Sequence, residues 1–203
     1  MVLLHGFPDR AETMFPLMER LDSSRFTMVA PALRGYPPTD YPSDERYFLC
    51  DLAEDLLGLI EELGFGSADV VGHDWGAPIA YATANLEPSR LRSIVGMAVP
   101  PVPVFFRNLL RDPSQLVRSS YMLTFQVPWV SRWWVQREDF VQIERFYERW
   151  SPGLDNAEEH VEAVKDQFRD PDRLRAAMSY YRDLFRGFLH DPRSYGRSLK
   201  LSF

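Results

Sequence analysis

One cysteine, Cys50, occurs in 203 residues, so no internal disulfide can form, and no Cys/His cluster has metal-ligand spacing. A reducing compartment is the simplest reading, with neither metal nor cofactor required. A basic excess is missing too: 23 Lys and Arg stand against 29 Asp and Glu, a net charge of -6. That removes the electrostatic footprint of nucleic-acid or anionic-membrane binding. No stretch is long and apolar enough to span a bilayer, and "MVLLHGFPD" has no basic n-region before its apolar run stops at His5. Repeats and low-complexity segments are absent. These gaps describe a soluble, cytoplasmic protein whose partner is a small molecule, of unspecified oligomeric state. What is present, 45% hydrophobic and 14% aromatic residues, suffices for a sizeable core.

The first half alternates short apolar runs with amphipathic ones. Val2–Leu4, Phe26–Ala30, Ala68–Val71 and Ile94–Val99 read as buried strands. Between them, Glu12–Leu21, Tyr47–Leu63 and Ala77–Leu86 carry helical periodicity. Such alternation predicts an α/β fold, a mostly parallel sheet with helices on both faces, whose ligands sit at the carboxyl ends of the strands. After Phe105 only helical periodicity remains, over Ser114–Phe125, Arg137–Arg149, Ala157–Phe168 and Arg173–Leu189. The expected organisation is a core at 1–104, an inserted helical cap at 105–195 with Trp129, Trp133, Trp134 and Trp150 in its interior, and the start of a return to the core at 196–203.

The segment "VVGHDWGA" runs from a strand through Gly72, His73, Asp74, Trp75 and Gly76 into a helix. Glycines at both flanks allow a sharp elbow that exposes the central side chain above the sheet. Asp74 has one bland reading, as a cap on the helix that follows. The turn His5-Gly6-Phe7-Pro8, at the end of another strand, favours a second. There, the amides of Phe7 and Trp75 converge as an oxyanion hole beside Asp74, with His5, Gly6, Pro8, Gly72, His73 and Gly76 shaping the site. A carboxylate is ionised at neutral pH and needs no base to act as a nucleophile. It displaces at saturated carbon and leaves an alkyl ester, whose hydrolysis needs a general base.

HGFP, "RGYPPTD" at Arg34 to Asp40, GHDWGA and the helical insertion resemble the α/β-hydrolase superfamily, in its epoxide hydrolase and haloalkane dehalogenase branch. The resemblance implies an α/β-hydrolase core with a helical cap. It implies an apolar epoxide and water as substrates, and ring opening through a covalent ester at Asp74. "SYMLTFQVP" and "MSYYRDLF" resemble the two epoxide hydrolase segments that supply tyrosines to the epoxide oxygen, which puts those roles on Tyr121 and Tyr181. Tyr180 competes with Tyr181, because helical phase does not separate neighbours. Alternatives are a haloalkane dehalogenase, with Trp75 at the halide, and a non-catalytic hydrolase-fold binding module.

The family's general base, a histidine, and its acidic partner are expected beyond residue 203. The C-terminal part of the core is accordingly expected to be absent, with the sheet edges exposed and the hydrolytic step incomplete. His5, His73, His160 and His190 do not match the base position.

Overall fold

The computed structural model describes residues 1–190; the end of the expected helical unit and the 196–203 return to the core lie outside them. Three parallel strands, β1 (Val2–Leu4), β2 (Ala68–His73) and β3 (Leu91–Met97), form a sheet in the order β1-β2-β3. The expected strand at Phe26–Ala30 is reduced to one parallel bridge, Val2 to Val29, because β1 offers only a short edge and Pro31 has no N–H to extend the ladder. β3 begins and ends earlier than the apolar run predicts. The chain turns at Ala98 (φ 69°), and the Val99 amide bonds back to Met97.

Helix α1 (Phe15–Arg20) follows a short 3-10 turn, α2 (Leu49–Glu62) precedes β2, and α3 (Gly76–Leu86) connects β2 to β3. On α2, Leu49, Leu52, Ala53, Leu56 and Ile60 are buried at the predicted spacing, packing in one core cluster with Val2, Leu4, Val70 and Ile79. β3 has no second strand neighbour among the described residues, and Val95 on it is 52% exposed.

Every described regular element after β3 is helical: α4 (Val102–Arg111), α5 (Pro113–Arg118), α6 (Tyr121–Thr124), α7 (Pro128–Trp150), α8 (Ala157–Arg169) and α9 (Pro171–His190). Helix α4 forms from the proline-rich run because Pro103 falls in its first turn, where an N–H has no intrahelical partner to lose. The predicted Ser114–Phe125 helix is instead split into α5 and α6. Helix α7 starts at Pro128, and Arg137–Phe140 interrupt it, with φ of 51°, 50° and 63° at Glu138, Asp139 and Phe140.

The tryptophans also depart from expectation. Trp129 and Trp133 are 76% and 62% exposed, and Trp150 is exposed as well. The first two lie four apart on one face of α7, while Ser131 and Val135 take the buried face. Trp134 packs against the core, and Trp150 stacks one face on the buried Phe146 with ring centroids 4.3 Å apart. None of the helices in the described residues is long and apolar enough to cross a membrane.

The helices are fastened above the carboxyl end of β1. The Phe7 ring meets Phe125, Phe146, Phe168 and Tyr181 at centroid distances of 5.4, 6.2, 5.8 and 5.5 Å. Helix α9 is tied to the Arg34–Tyr47 segment by Tyr180 OH to Arg34 O (2.7 Å), Arg173 to Gly35 O (3.2 Å) and the Tyr47 amide to Asp183 (2.9 Å).

Candidate active site

β2 ends at His73 and α3 begins at Gly76, so Asp74 and Trp75 make the whole turn. Asp74 has φ 49°, a strained value for a side-chain-bearing residue, and such strain clusters where a side chain must be displayed. A Cβ on Gly72 would collide with the Gly76 backbone, and one on Gly76 with the backbone of Leu4. The turn therefore closes only with glycine at both positions. Gly6 is constrained by the same approach, since a Cβ there would overlap the Asp74 side chain.

The Phe7 amide donates to Asp74 Oδ1 at 2.8 Å, and the Trp75 amide lies close enough to favour the charged carboxylate electrostatically. No side chain caps the start of α3. Asp74 is therefore not a simple helix cap, because its carboxylate accepts from the Phe7 amide of the neighbouring turn. Burial raises the Asp74 pKa above the ordinary carboxylate value; the Phe7 amide, His73 and the Trp75 amide oppose the shift.

His5 is buried and pinned at both nitrogens. Its Nδ1 lies 3.0 Å from Gly6 O, which can only accept, and its Nε2 accepts from the Leu33 amide at 3.0 Å. Burial lowers its pKa to about 4, so the neutral ring is a fixed strut between the two loops. Pro8, after a cis Phe7–Pro8 bond, accepts from Tyr147 OH at 2.8 Å. His73 is partly exposed and lines a cavity beside Asp74. His160 lies on α8 against Tyr147, with ring centroids 6.2 Å apart.

Two cavities flank Asp74. One, of about 60 Å³, is lined by Asp74, Trp75, Tyr121, Tyr181 and apolar residues including Val102 and Leu184. The structure thus separates Tyr181 from Tyr180, whose hydroxyl is engaged by Arg34 O. The Tyr181 hydroxyl is buried and makes no hydrogen bond of ordinary geometry. The Tyr121 hydroxyl and the Trp75 side chain nevertheless lie close enough to interact with it electrostatically. Burial holds both phenols above their usual pKa, Tyr181 well above, with Tyr121 and Asp74 adding to it. Both are therefore donors across the neutral range. The side-chain amide of Gln126 donates to Met122 O (2.9 Å) and Tyr181 O (3.2 Å), tying the two tyrosine-bearing helices together.

The second cavity, of about 140 Å³, is lined by Phe7, Pro8, Asp9, His73, Asp74, Tyr147 and neighbours. Asp9 and Tyr147 escaped the sequence reading. Asp9 directly follows the HGFP turn, and that adjacency was its one signal. Tyr147 carried none, because only the packing of α7 brings it to the turn.

A parallel sheet with a strand-turn-helix elbow under a helical layer defines the class as α/β hydrolase, and the α/β hydrolase fold family matches residues 1–181. The chain belongs to that family. Within it, the chain is similar to the Bacillus subtilis (strain 168) AB hydrolase superfamily protein YfhM, 30% identical over 96% of this chain and 68% of that protein. It is also similar to mouse epoxide hydrolase 3, 34% identical over 95% of this chain and 53% of that protein. Among solved structures, a Bacillus megaterium epoxide hydrolase in complex with an inhibitor superposes with a TM-score of 0.76 at 30% identity, over 90% of this chain and 64% of that one. The chain spans about half the length of the mouse protein.

Proposed function

We propose that this chain carries the ring-opening machinery of an epoxide hydrolase. Asp74 attacks an epoxide carbon through its ionised carboxylate, the C–O bond breaks, and Tyr121 or Tyr181 donates its proton to the departing oxygen. The product is a β-hydroxyalkyl ester of Asp74. The Phe7 amide already bonds the carboxylate and the Trp75 amide lies beside it, so an ester oxygen left there would sit where an oxyanion is later stabilised.

The observation that carries this reading is the shared cavity: Asp74 lines it together with two phenols, and the buried Tyr181 hydroxyl makes no hydrogen bond of ordinary geometry. Phenols suit an alkoxide leaving group, whereas a departing halide calls for weaker donors, so the dehalogenase reading is the less supported one. Similarity to epoxide hydrolases over nine-tenths or more of the chain supports the same choice. The cavity's apolar lining favours an apolar epoxide. Intact-mass measurement after incubation with styrene oxide tests it. A single adduct located on the Asp74 peptide and lost in Asp74→Asn is expected; no adduct, or one unchanged by that substitution, would overturn the reading.

A further inference from the structure

The total charge of -6 hides a stretch of the opposite sign. No Asp or Glu occurs between Asp112 and Glu138, whereas Arg118, Arg132 and Arg137 fall inside that interval. It covers α5, α6 and the first segment of α7, which ends where Arg137–Phe140 leave helical geometry. On this segment the helical period sorts the side chains into two faces. Ser131 and Val135 are buried, while Trp129, Arg132 and Trp133 stand in solvent. The Arg132 guanidinium reaches Gln136 Oε1 at 3.0 Å, and that of Arg137 lies 5.3 Å from the centre of the Trp133 ring. Neither of these arginines, nor Arg118, forms an ion pair among the described residues. The elements just before α7 expose further apolar side chains, Val117 on α5 and Leu123 on α6, each 67% in solvent.

We propose that this face docks the protein on an anionic lipid surface, as a peripheral contact that does not span the bilayer. Exposed apolar side chains gathered on one part of a surface mark a place where something else is bound. Indole rings suit the headgroup level of a bilayer, because the ring body is buried there while its N–H stays wet. Arg132, set between Trp129 and Trp133, then meets lipid phosphates, which a guanidinium binds through two N–H groups at once. Trp on one helix face with arginine beside it is the pattern of a helix that lies in the interface plane. The missing carboxylates decide the sign of the partner, since the attraction to an anionic leaflet is nowhere cancelled along this stretch.

A second copy of the chain fits this face less well. A twofold contact would set Arg132 and Arg137 against the same residues of the other copy, with no carboxylate between them to compensate. Docking does not rest on the ring-opening reading, and either stands without the other. Where both hold, an apolar epoxide dissolved in the same bilayer is concentrated next to α6, the helix that begins at Tyr121.

Vesicles of phosphatidylcholine, with and without phosphatidylglycerol, test it on the full chain by co-sedimentation and tryptophan emission. Wild type should sediment with the anionic vesicles, shift its emission to the blue, and partition at least about tenfold less onto phosphatidylcholine alone. The double variant Trp129→Gln, Trp133→Gln should lower partitioning at least about tenfold and Arg132→Gln roughly fivefold, and added salt should weaken the binding of wild type. Unchanged urea midpoints establish that these surface variants are folded. Absence of binding to the anionic vesicles sinks the proposal, as does binding that survives the loss of both indoles or that is equal on neutral lipid. Dimers in size exclusion that the double tryptophan variant loses, without vesicle binding by wild type, would assign the face to a second copy instead.

Discussion

The Phe7 amide and Asp74 Oδ1 stand 2.8 Å apart, although 67 positions separate them in the chain. The bond exists because β1 and β2 are parallel neighbours in register, Leu4 beside Gly72, so that the turns leaving their carboxyl ends meet. On the proposed ring-opening reading, it presents Asp74 with a donor already in place for the charge that would develop at that oxygen.

The two adjacent tyrosines should separate cleanly. Tyr180→Phe loses the bond to Arg34 O and is expected to cost about 1 kcal/mol in urea denaturation while leaving the rate of adduct formation unchanged. Tyr181→Phe removes a hydroxyl with no ordinary hydrogen bond, so stability should hold or rise, whereas adduct formation with styrene oxide slows by roughly 10²-fold. The reverse pattern would exchange their assignments.

Gln126 links α6 to α9 through two carbonyls, one of them that of Tyr181. Gln126→Ala should destabilise by about 1–2 kcal/mol and slow adduct formation more than Gln126→Glu, which retains length but not the amide donors, is able to repair. Stopped incubations read by intact mass, together with urea midpoints, check both effects.

At the elbow, Gly76→Ala inserts a methyl against the Leu4 backbone. Backbone cannot rotate away as a side chain can, so a loss of about 3 kcal/mol or failure to accumulate as folded protein is expected. Near-ultraviolet circular dichroism and urea titration decide it. A fully stable Gly76→Ala variant would mean that the turn can open enough to admit a methyl beside the Leu4 backbone.

Trp129 and Trp133 sit largely in solvent on α7. Replacing either with Gln should change stability by no more than about 0.5 kcal/mol. A loss of 3 kcal/mol would instead place them in an interior.

Burial raises Asp74 and Asp9 and lowers His5, so the groups near the site act on the pH dependence of stability in opposing directions. Asp9 is raised by burial from 3.8 to about 7, so between those values the native state holds a proton that the unfolded chain releases, and stability falls as pH rises through that window. His5 is lowered by burial from 6.5 to about 4, so the unfolded chain binds a proton that the native state refuses, and stability rises with pH over that span. The comparison that isolates Asp9 is wild type against Asp9→Asn. The variant's advantage should grow by about 2 kcal/mol between pH 4 and pH 8, half the full linkage value because Asp9 keeps some solvent contact. Thermal midpoints at fixed ionic strength measure it; an advantage independent of pH would contradict the raised pKa.

By itself, the sequence determined the parallel αβ alternation, the elbow around Asp74 and the His5–Pro8 turn beside it. These depend on local chemistry: apolar periodicity, glycine where no Cβ fits, proline where a helix begins. Strand limits were less legible. Phe26–Ala30 has strand composition, yet a strand also needs an edge to bond, and β1 exposes little. Trp129 and Trp133 misled for a related reason, since hydrophobicity says that a residue gains from burial but not which face of a helix the neighbours will cover.

Only the tertiary structure distinguished the surroundings of Tyr180 and Tyr181, because the packing of α9 against the Arg34–Tyr47 segment directs one hydroxyl to a carbonyl and leaves the other residue lining the cavity. It alone brought Asp9 and Tyr147, 138 positions apart, to a common edge. A motif is written in consecutive residues, but a cavity is made by whichever distant side chains the packing of several elements leaves around an unfilled space, and no local pattern encodes that.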